Sequence, residues 1–127
     1  MDSSPALSSD GKVVYVGSED NKLYAVNALT GSKIWSFPTG SVVFSSPALS
    51  SDGKVVFVGS RDNSLYAVNA LTGSKIWSFA TGGDVDSSPA HSNDGKVLYI
   101  GSWDHNLYAV NASTGSRIWS VTNQWSG

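Results

Sequence analysis

The sequence predicts an all-β chain of three four-stranded antiparallel units. Three observations predict it: a repeat of 42 residues, turn-forming residues at fixed places in each repeat, and short strand-like runs that are apolar on both faces. Trp35, Trp77 and Trp119 are 42 apart (77 − 35 and 119 − 77), and so are Pro5, Pro47 and Pro89. A period of about 40–50 residues carrying four strands is that of a propeller blade. No segment sustains the 3.6-residue period of a helix.

The elements of the first unit follow in order. A first strand over Ser3 to Ser8 ends at Asp10-Gly11, a dipeptide suited to a tight hairpin because both residues tolerate positive φ. Pro5 on that strand suits an edge lining a central channel, where a missing N–H costs little. The second strand, Lys12 to Gly17, is rich in β-branched and aromatic residues and closes at Ser18-Glu-Asp-Asn21. The third, Leu23 to Val26, turns through Asn27-Ala-Leu-Thr-Gly31 into a fourth, Lys33 to Phe37. Runs such as Val13-Val14-Tyr15-Val16 are apolar on both faces, which a lone sheet wet on one side cannot accommodate and a stack of sheets can. The chain, 1–127, is one repeat domain: blade 1 at about 2–40, blade 2 at about 44–82, blade 3 at about 86–122, and a C-terminal tail at 123–127.

Composition excludes several classes of function. A formal charge of −2 with 14% charged residues offers no overall basic field, so nucleic acid is not an expected partner. With no cysteine there is no thiolate nucleophile, disulfide framework or cysteine-ligated metal. No apolar run approaches the roughly 20 residues of a membrane helix, so no membrane insertion is expected. The start of the chain lacks a basic segment followed by an apolar stretch, so a secretory signal is not expected in it, and the compartment stays open.

One run is specific enough to carry a resemblance. Ala25-x-Asn27-Ala28-x-Thr30-Gly31-x-x-x-Trp35 recurs as Ala67, Asn69, Ala70, Thr72, Gly73, Trp77 and as Ala109, Asn111, Ala112, Thr114, Gly115, Trp119. In this run the chain resembles the pyrroloquinoline-quinone-type propeller repeat with its tryptophan-docking motif. The resemblance implies that each Trp packs between neighbouring sheets, against a turn formed by the Ala, Thr and Gly. An indole can bury 150–250 Å² and carries an N–H that needs a partner, so it makes a rigid pin. Asn27, Asn69 and Asn111 stand where the family pattern often has Asp. Quinoprotein dehydrogenases of this superfamily hold a cofactor and a metal ion on the propeller axis, many with a vicinal cysteine pair. None of that carries over to these residues, so no cofactor and no catalytic residue are expected.

Closed propellers usually contain about 4–8 blades, and three cannot surround an axis. The first and third blades would each expose a face meant for a neighbour. A face of roughly 800 Å² corresponds to a gross apolar gain of about 20 kcal/mol at 25 cal/mol/Å², part of which association costs offset. The two faces differ, so the expected contact is head-to-tail and generates a ring or a filament. The ring is expected to be completed by homo-oligomerisation, with nine blades from a homotrimer favoured and six from a homodimer next. The resemblance supports nine, because rings familiar in that family have eight blades about 45° apart, nearer to the roughly 40° of nine than the roughly 60° of six. The near-identity of the units points to recent amplification of one blade or to engineering. A ligand- or protein-binding scaffold using the channel or the loop face is the alternative function, and a dehydrogenase fragment a distant third.

The departures from the repeat are the remaining candidates. Gly83-Asp-Val-Asp86 replaces Ser41-Val-Val-Phe44, and its alternating carboxylates Asp84 and Asp86 would point the same way on an extended segment, able to hold a hard cation near a channel mouth. A solvated connector that tolerates any polar residue is the favoured reading, so no metal site is expected and Asp84 and Asp86 are weak candidates. His91 takes the place of Leu7 and Leu49 on the inner strand and is expected to line the channel, while His105 falls in a turn. Trp103 replaces Glu19 and Arg61 at a turn, where an exposed ring could stack on a ligand. Trp125, in the tail, is expected to pack over the last blade. Asn111-Ala-Ser113 forms a glycosylation sequon inside the docking motif, which makes the match incidental.

Overall fold

A computed structural model describes residues 4–122. Twelve strands form three four-stranded antiparallel sheets. The first contains β1 (Ala6–Leu7), β2 (Val13–Gly17), β3 (Lys22–Asn27) and β4 (Lys33–Pro38). The second contains β5 (Ala48–Leu49), β6 (Val55–Gly59), β7 (Ser64–Asn69) and β8 (Lys75–Ala80), and the third β9 (Ala90–His91), β10 (Val97–Gly101), β11 (Asn106–Asn111) and β12 (Arg117–Thr122). Each sheet runs in chain order from its first strand to its fourth. The tail 123–127, with Trp125, lies outside the described residues.

The inner strands are shorter than the sequence suggests. Each pairs over two residues, Ala6 with Tyr15 and Leu7 with Val14 in the first sheet. Pro5, Pro47 and Pro89 sit immediately before them, where the absent N–H stops the ladder. The hairpins follow the local chemistry. Asp10 Oδ1 accepts from Lys12 N at 3.0 Å and from Ser8 Oγ at 2.6 Å, with Gly11 at φ 74°. The β2–β3, β6–β7 and β10–β11 turns place Asn21, Asn63 and His105 at φ 71–76°, a left-handed position that Asn tolerates and that accounts for His105 as a turn residue. In the β3–β4 turn, Asn27 Oδ1 accepts from Leu29 N at 2.9 Å and Thr30 N at 3.1 Å, and Gly31 takes φ 77°. The neutral amide of Asn27 thus caps the turn.

The core lies between sheets. Tyr15, Leu23, Ala25, Trp35 and Phe37 of the first meet Val56, Val58, Val68 and Ala70 of the second. Phe57, Leu65, Ala67 and Trp77 of the second meet Leu98, Ile100, Tyr108 and Val110 of the third. Alternate residues of the middle sheet therefore bury in opposite directions, which is why its strands read as continuous apolar runs. Where the connector between the second and third sheets passes the end of β6, glycine is required: a Cβ on Gly59 would lie 2.4 Å from Val85 Cγ1 and 2.5 Å from Val85 O.

Candidate functional site

The joint between sheets is built from the turn upward. The Trp35 indole Nε1 donates to Ala70 O at 3.0 Å, and Trp77 Nε1 donates to Ala112 O at the same distance. The indole lies on the following unit's glycine, so a Cβ on Gly73 would approach Trp35 Cδ2 to 2.7 Å and one on Gly115 would approach Trp77 Cδ2 to 2.5 Å. Each Trp therefore reaches forward to the turn of the next unit. Tyr15 tilts against Trp35 at 5.9 Å between ring centres and donates its hydroxyl to Ala70 O at 3.4 Å. Phe37 meets Tyr66 edge-on at 5.3 Å.

Polar contacts step forward in the same way. Asp62 Oδ2 accepts from Gly40 N of the preceding unit at 2.9 Å and also from the Tyr66 hydroxyl; Asp104 repeats this with Gly82 N at 3.0 Å and Tyr108. Near the inner edge, Ser4 N donates to Ser46 Oγ at 2.8 Å and Ser46 N to Ser88 Oγ at 3.2 Å, one unit per step.

The terminal units present the two halves of this joint without a partner among the described residues. Trp119 is 41% exposed, against 8% for Trp35 and Trp77. At the other end, a Cβ on Gly31 would meet nothing within 4 Å, and Ala28 is exposed where Ala70 is buried. Val14, Val16 and Val26 of the first sheet are half-buried, whereas their counterparts Val56, Val58 and Val68 are fully buried.

The remaining candidate residues fall elsewhere. Asp84 and Asp86 do face the same way, but toward Arg61. Asp86 pairs with Arg61 Nη2 at 3.1 Å and Asp84 with Arg61 Nε at 3.7 Å, while the guanidinium lies 4.1 Å from the centre of the Phe44 ring. Both carboxylates thus face the Arg61 guanidinium of this protein. Arg61→Ala is expected to lower stability by about 0.5–1 kcal/mol, as a partly exposed ion pair and ring contact together allow, readable as a small drop in Tm. His91 is exposed on the short β9, its Nδ1 3.2 Å from Ser92 O. Trp103 is 67% exposed. Asn111 Oδ1 accepts from Ser113 N at 2.9 Å and Thr114 N at 3.1 Å, so the sequon's amide is engaged in its turn.

Side chains at the joints titrate away from their ordinary ranges, Tyr66 and Asp104 among them. Burial, then the Asp62 hydrogen bond and charge, push the Tyr66 phenol from 10.0 up to about 12. Burial pushes the Asp104 carboxyl up, but bonds from the Tyr108 hydroxyl, Gly82 N, Asn106 N and Ser102 Oγ outweigh it and hold the carboxyl below 3.8. The signs are opposite. Tyr66 binds its proton more tightly when folded, so its contribution is complete below pH 10 and is lost as the pH rises toward about 12. Asp104 contributes above its unfolded value and loses that contribution as the pH falls through its folded one. Urea midpoints measured across pH should fall at both extremes, and Tyr66→Phe should flatten the alkaline limb.

With this geometry described, comparison with known proteins is informative. The family model for "Outer membrane protein assembly factor BamB" matches residues 1–124. The chain belongs to this BamB-type family of propellers with pyrroloquinoline-quinone-like repeats. BamB from Moraxella catarrhalis superposes with a TM-score of 0.80 at 23% identity, over 95% of this chain and 36% of that one. "Protein Rv3035" of Mycobacterium tuberculosis is 51% identical over 37 residues, 29% of this chain and 9% of that protein. The chain thus spans about a third of the BamB chain and a tenth of the mycobacterial one. The BamB-type family carries the description of an assembly factor rather than of an enzyme. Among the described residues, no helix is long and apolar enough to cross a membrane.

Proposed function

We propose that this chain is a non-enzymatic, self-associating propeller segment. Its third blade docks on the first blade of another copy by the same tryptophan contact that joins the blades within it. The observation that carries the reading is the matched pair of vacancies: Trp119 open on the last blade, Ala28 and Gly31 open on the first. By the internal pattern, Trp119 Nε1 would donate to Ala28 O of the next copy and Ser88 N to its Ser4 Oγ. Tyr99, 6.1 Å from Trp119, would repeat the role of Tyr15.

The superposition supports a trimer over a dimer. With 95% of 127 residues standing for 36% of the BamB chain, that chain has about 335 residues (0.95 × 127 / 0.36), as much as about eight repeats. Blades set about 45° apart come nearer to ninefold closure than to sixfold. The uniformity of the units agrees with recent amplification of one blade, since a joint between copies can then reuse the internal geometry. A second reading, a scaffold that holds other proteins, is supported by the family's description as an assembly factor.

Two glycine substitutions test the docking. Gly31→Ala and Gly73→Ala share a similar positive φ, 77° and 79°, and so share a backbone strain of about 1–2 kcal/mol. Only Gly73 has an indole against it within the chain. Gly31→Ala is expected to dissociate the particle while each chain keeps its β-sheet circular dichroism, whereas Gly73→Ala destabilises the chain itself. A Gly31→Ala protein of unchanged mass would overturn the reading.

A further inference from the structure

The near-neutral net charge conceals a separation of charge between the two ends of the sheets. Both hairpins of each unit lie at one end: Ala28 N donates to Lys12 O at 2.9 Å, Ala70 N to Lys54 O at 2.9 Å and Ala112 N to Lys96 O at 3.0 Å. The β2–β3 turns and the connectors between units lie at the other end, where Thr39 N donates to Asn21 O at 2.8 Å and Thr81 N to Asn63 O at 2.7 Å. The hairpin end carries Lys12, Lys33, Lys54, Lys75, Lys96 and Arg117 against Asp10, Asp52 and Asp94, net 6 − 3 = +3 among the described residues. The connector end carries Lys22 and Arg61 against six acids, Glu19, Asp20, Asp62, Asp84, Asp86 and Asp104, net 2 − 6 = −4.

The basic end also carries most of the exposed aliphatic side chains, the connector end having the exposed Trp103. Leu29 and Leu71, in the β3–β4 and β7–β8 turns, are 93% and 83% exposed, and Leu71 stays so although its blade is already joined to the first. Beside them, Ile34, Ile76 and Ile118 are about half exposed on the outer strands, each following a basic residue, Lys33, Lys75 or Arg117. Ile34 of one blade and Leu71 of the next line the same cleft, together with Lys54, Asp10 and Asp52. The fold thus presents protruding leucines set among cations on a single face. That pairing suits an interface in which apolar groups enter hydrocarbon while cations meet anionic headgroups. Nucleic acid would reward the cations and leave the leucines wet.

We propose that the hairpin end docks on an anionic lipid surface. The inference stands apart from self-association, because the face is complete on one chain, although a ring would multiply it. The test is co-sedimentation with vesicles of phosphatidylcholine alone and of phosphatidylcholine mixed with phosphatidylglycerol. Binding is expected only to the mixed vesicles, and it should weaken as salt is raised. Lys33→Gln/Lys75→Gln should reduce partitioning about 30-fold, at about fivefold per basic residue near the surface. Leu29→Ser/Leu71→Ser should reduce it about tenfold through lost apolar burial. Both pairs are exposed, so unchanged melting curves will show intact folds. Glu19→Gln, at the opposite end, should leave binding unaltered. No binding, equal binding to neutral vesicles, indifference to the leucine pair, or tighter retention by duplex DNA than by vesicles would each overturn the proposal.

Discussion

Trp119→Ala is expected to release single chains from the assembled particle while leaving each chain folded, whereas Trp35→Ala is expected to destabilise the chain itself. Trp35 is 8% exposed and donates to Ala70 O, so its removal opens a void between the first and second blades and orphans a carbonyl. Truncating a buried Trp typically costs about 3–5 kcal/mol, enough to remove much of a small domain's stability. Trp119 contributes little inside its own chain, where it is 41% exposed. At a joint between copies it would be a central aromatic anchor, and truncating such an anchor costs about 2–4 kcal/mol of binding, or roughly 30- to 1,000-fold in Kd. Light scattering with urea titration of both variants reads this: mass should fall for Trp119→Ala, its urea midpoint losing only the contribution of assembly, whereas for Trp35→Ala the midpoint should fall even in dilute, unassembled chains.

The second large effect is expected at the glycine notches. Gly59→Ala should destabilise the chain by about 3 kcal/mol, the upper end for overpacking, because the new methyl meets the Val85 carbonyl as well as its side chain. Gly101, at the same place in the third blade, has only Ser87 Oγ at 3.7 Å, so Gly101→Ala should change stability by less than about 0.5 kcal/mol. The counterparts of Val43 and Val85 at the repeat spacing are Met1 and Gly127 (43 − 42 and 85 + 42), both outside the described residues. Thermal melts of the two variants should separate by about 10 °C, given about 3–4 °C per kcal/mol for a chain of this size.

The sheets were legible because every signal was local and repeated. Asp-Gly at Asp10, the β-branched run at Val13 and the Asn27–Gly31 turn each encode their own geometry, and three copies in register leave little room for another pairing. The inner strands were overestimated because Pro5 was read as an edge residue, when its missing N–H also sets where pairing begins. The alternation of Asp84 and Asp86 is visible in the sequence, but Arg61, 25 residues before Asp86, is not visible there as their partner. Only stacking the second blade on the third brings that turn beside the next connector. The forward reach of each Trp was equally hidden, since periodicity gives no direction to a contact between units. Charge was the least legible property. A net value of −2 averages two ends of opposite sign, and their separation requires knowing that alternate turns lie together.

Native mass spectrometry, counting chains per particle, tests the central claim most directly. The account predicts three chains of 13.3 kDa, about 40 kDa, retained on dilution through the micromolar range. A folded particle of 13.3 kDa at every concentration, with the Trp119 indole still open to solvent quenchers, would contradict it.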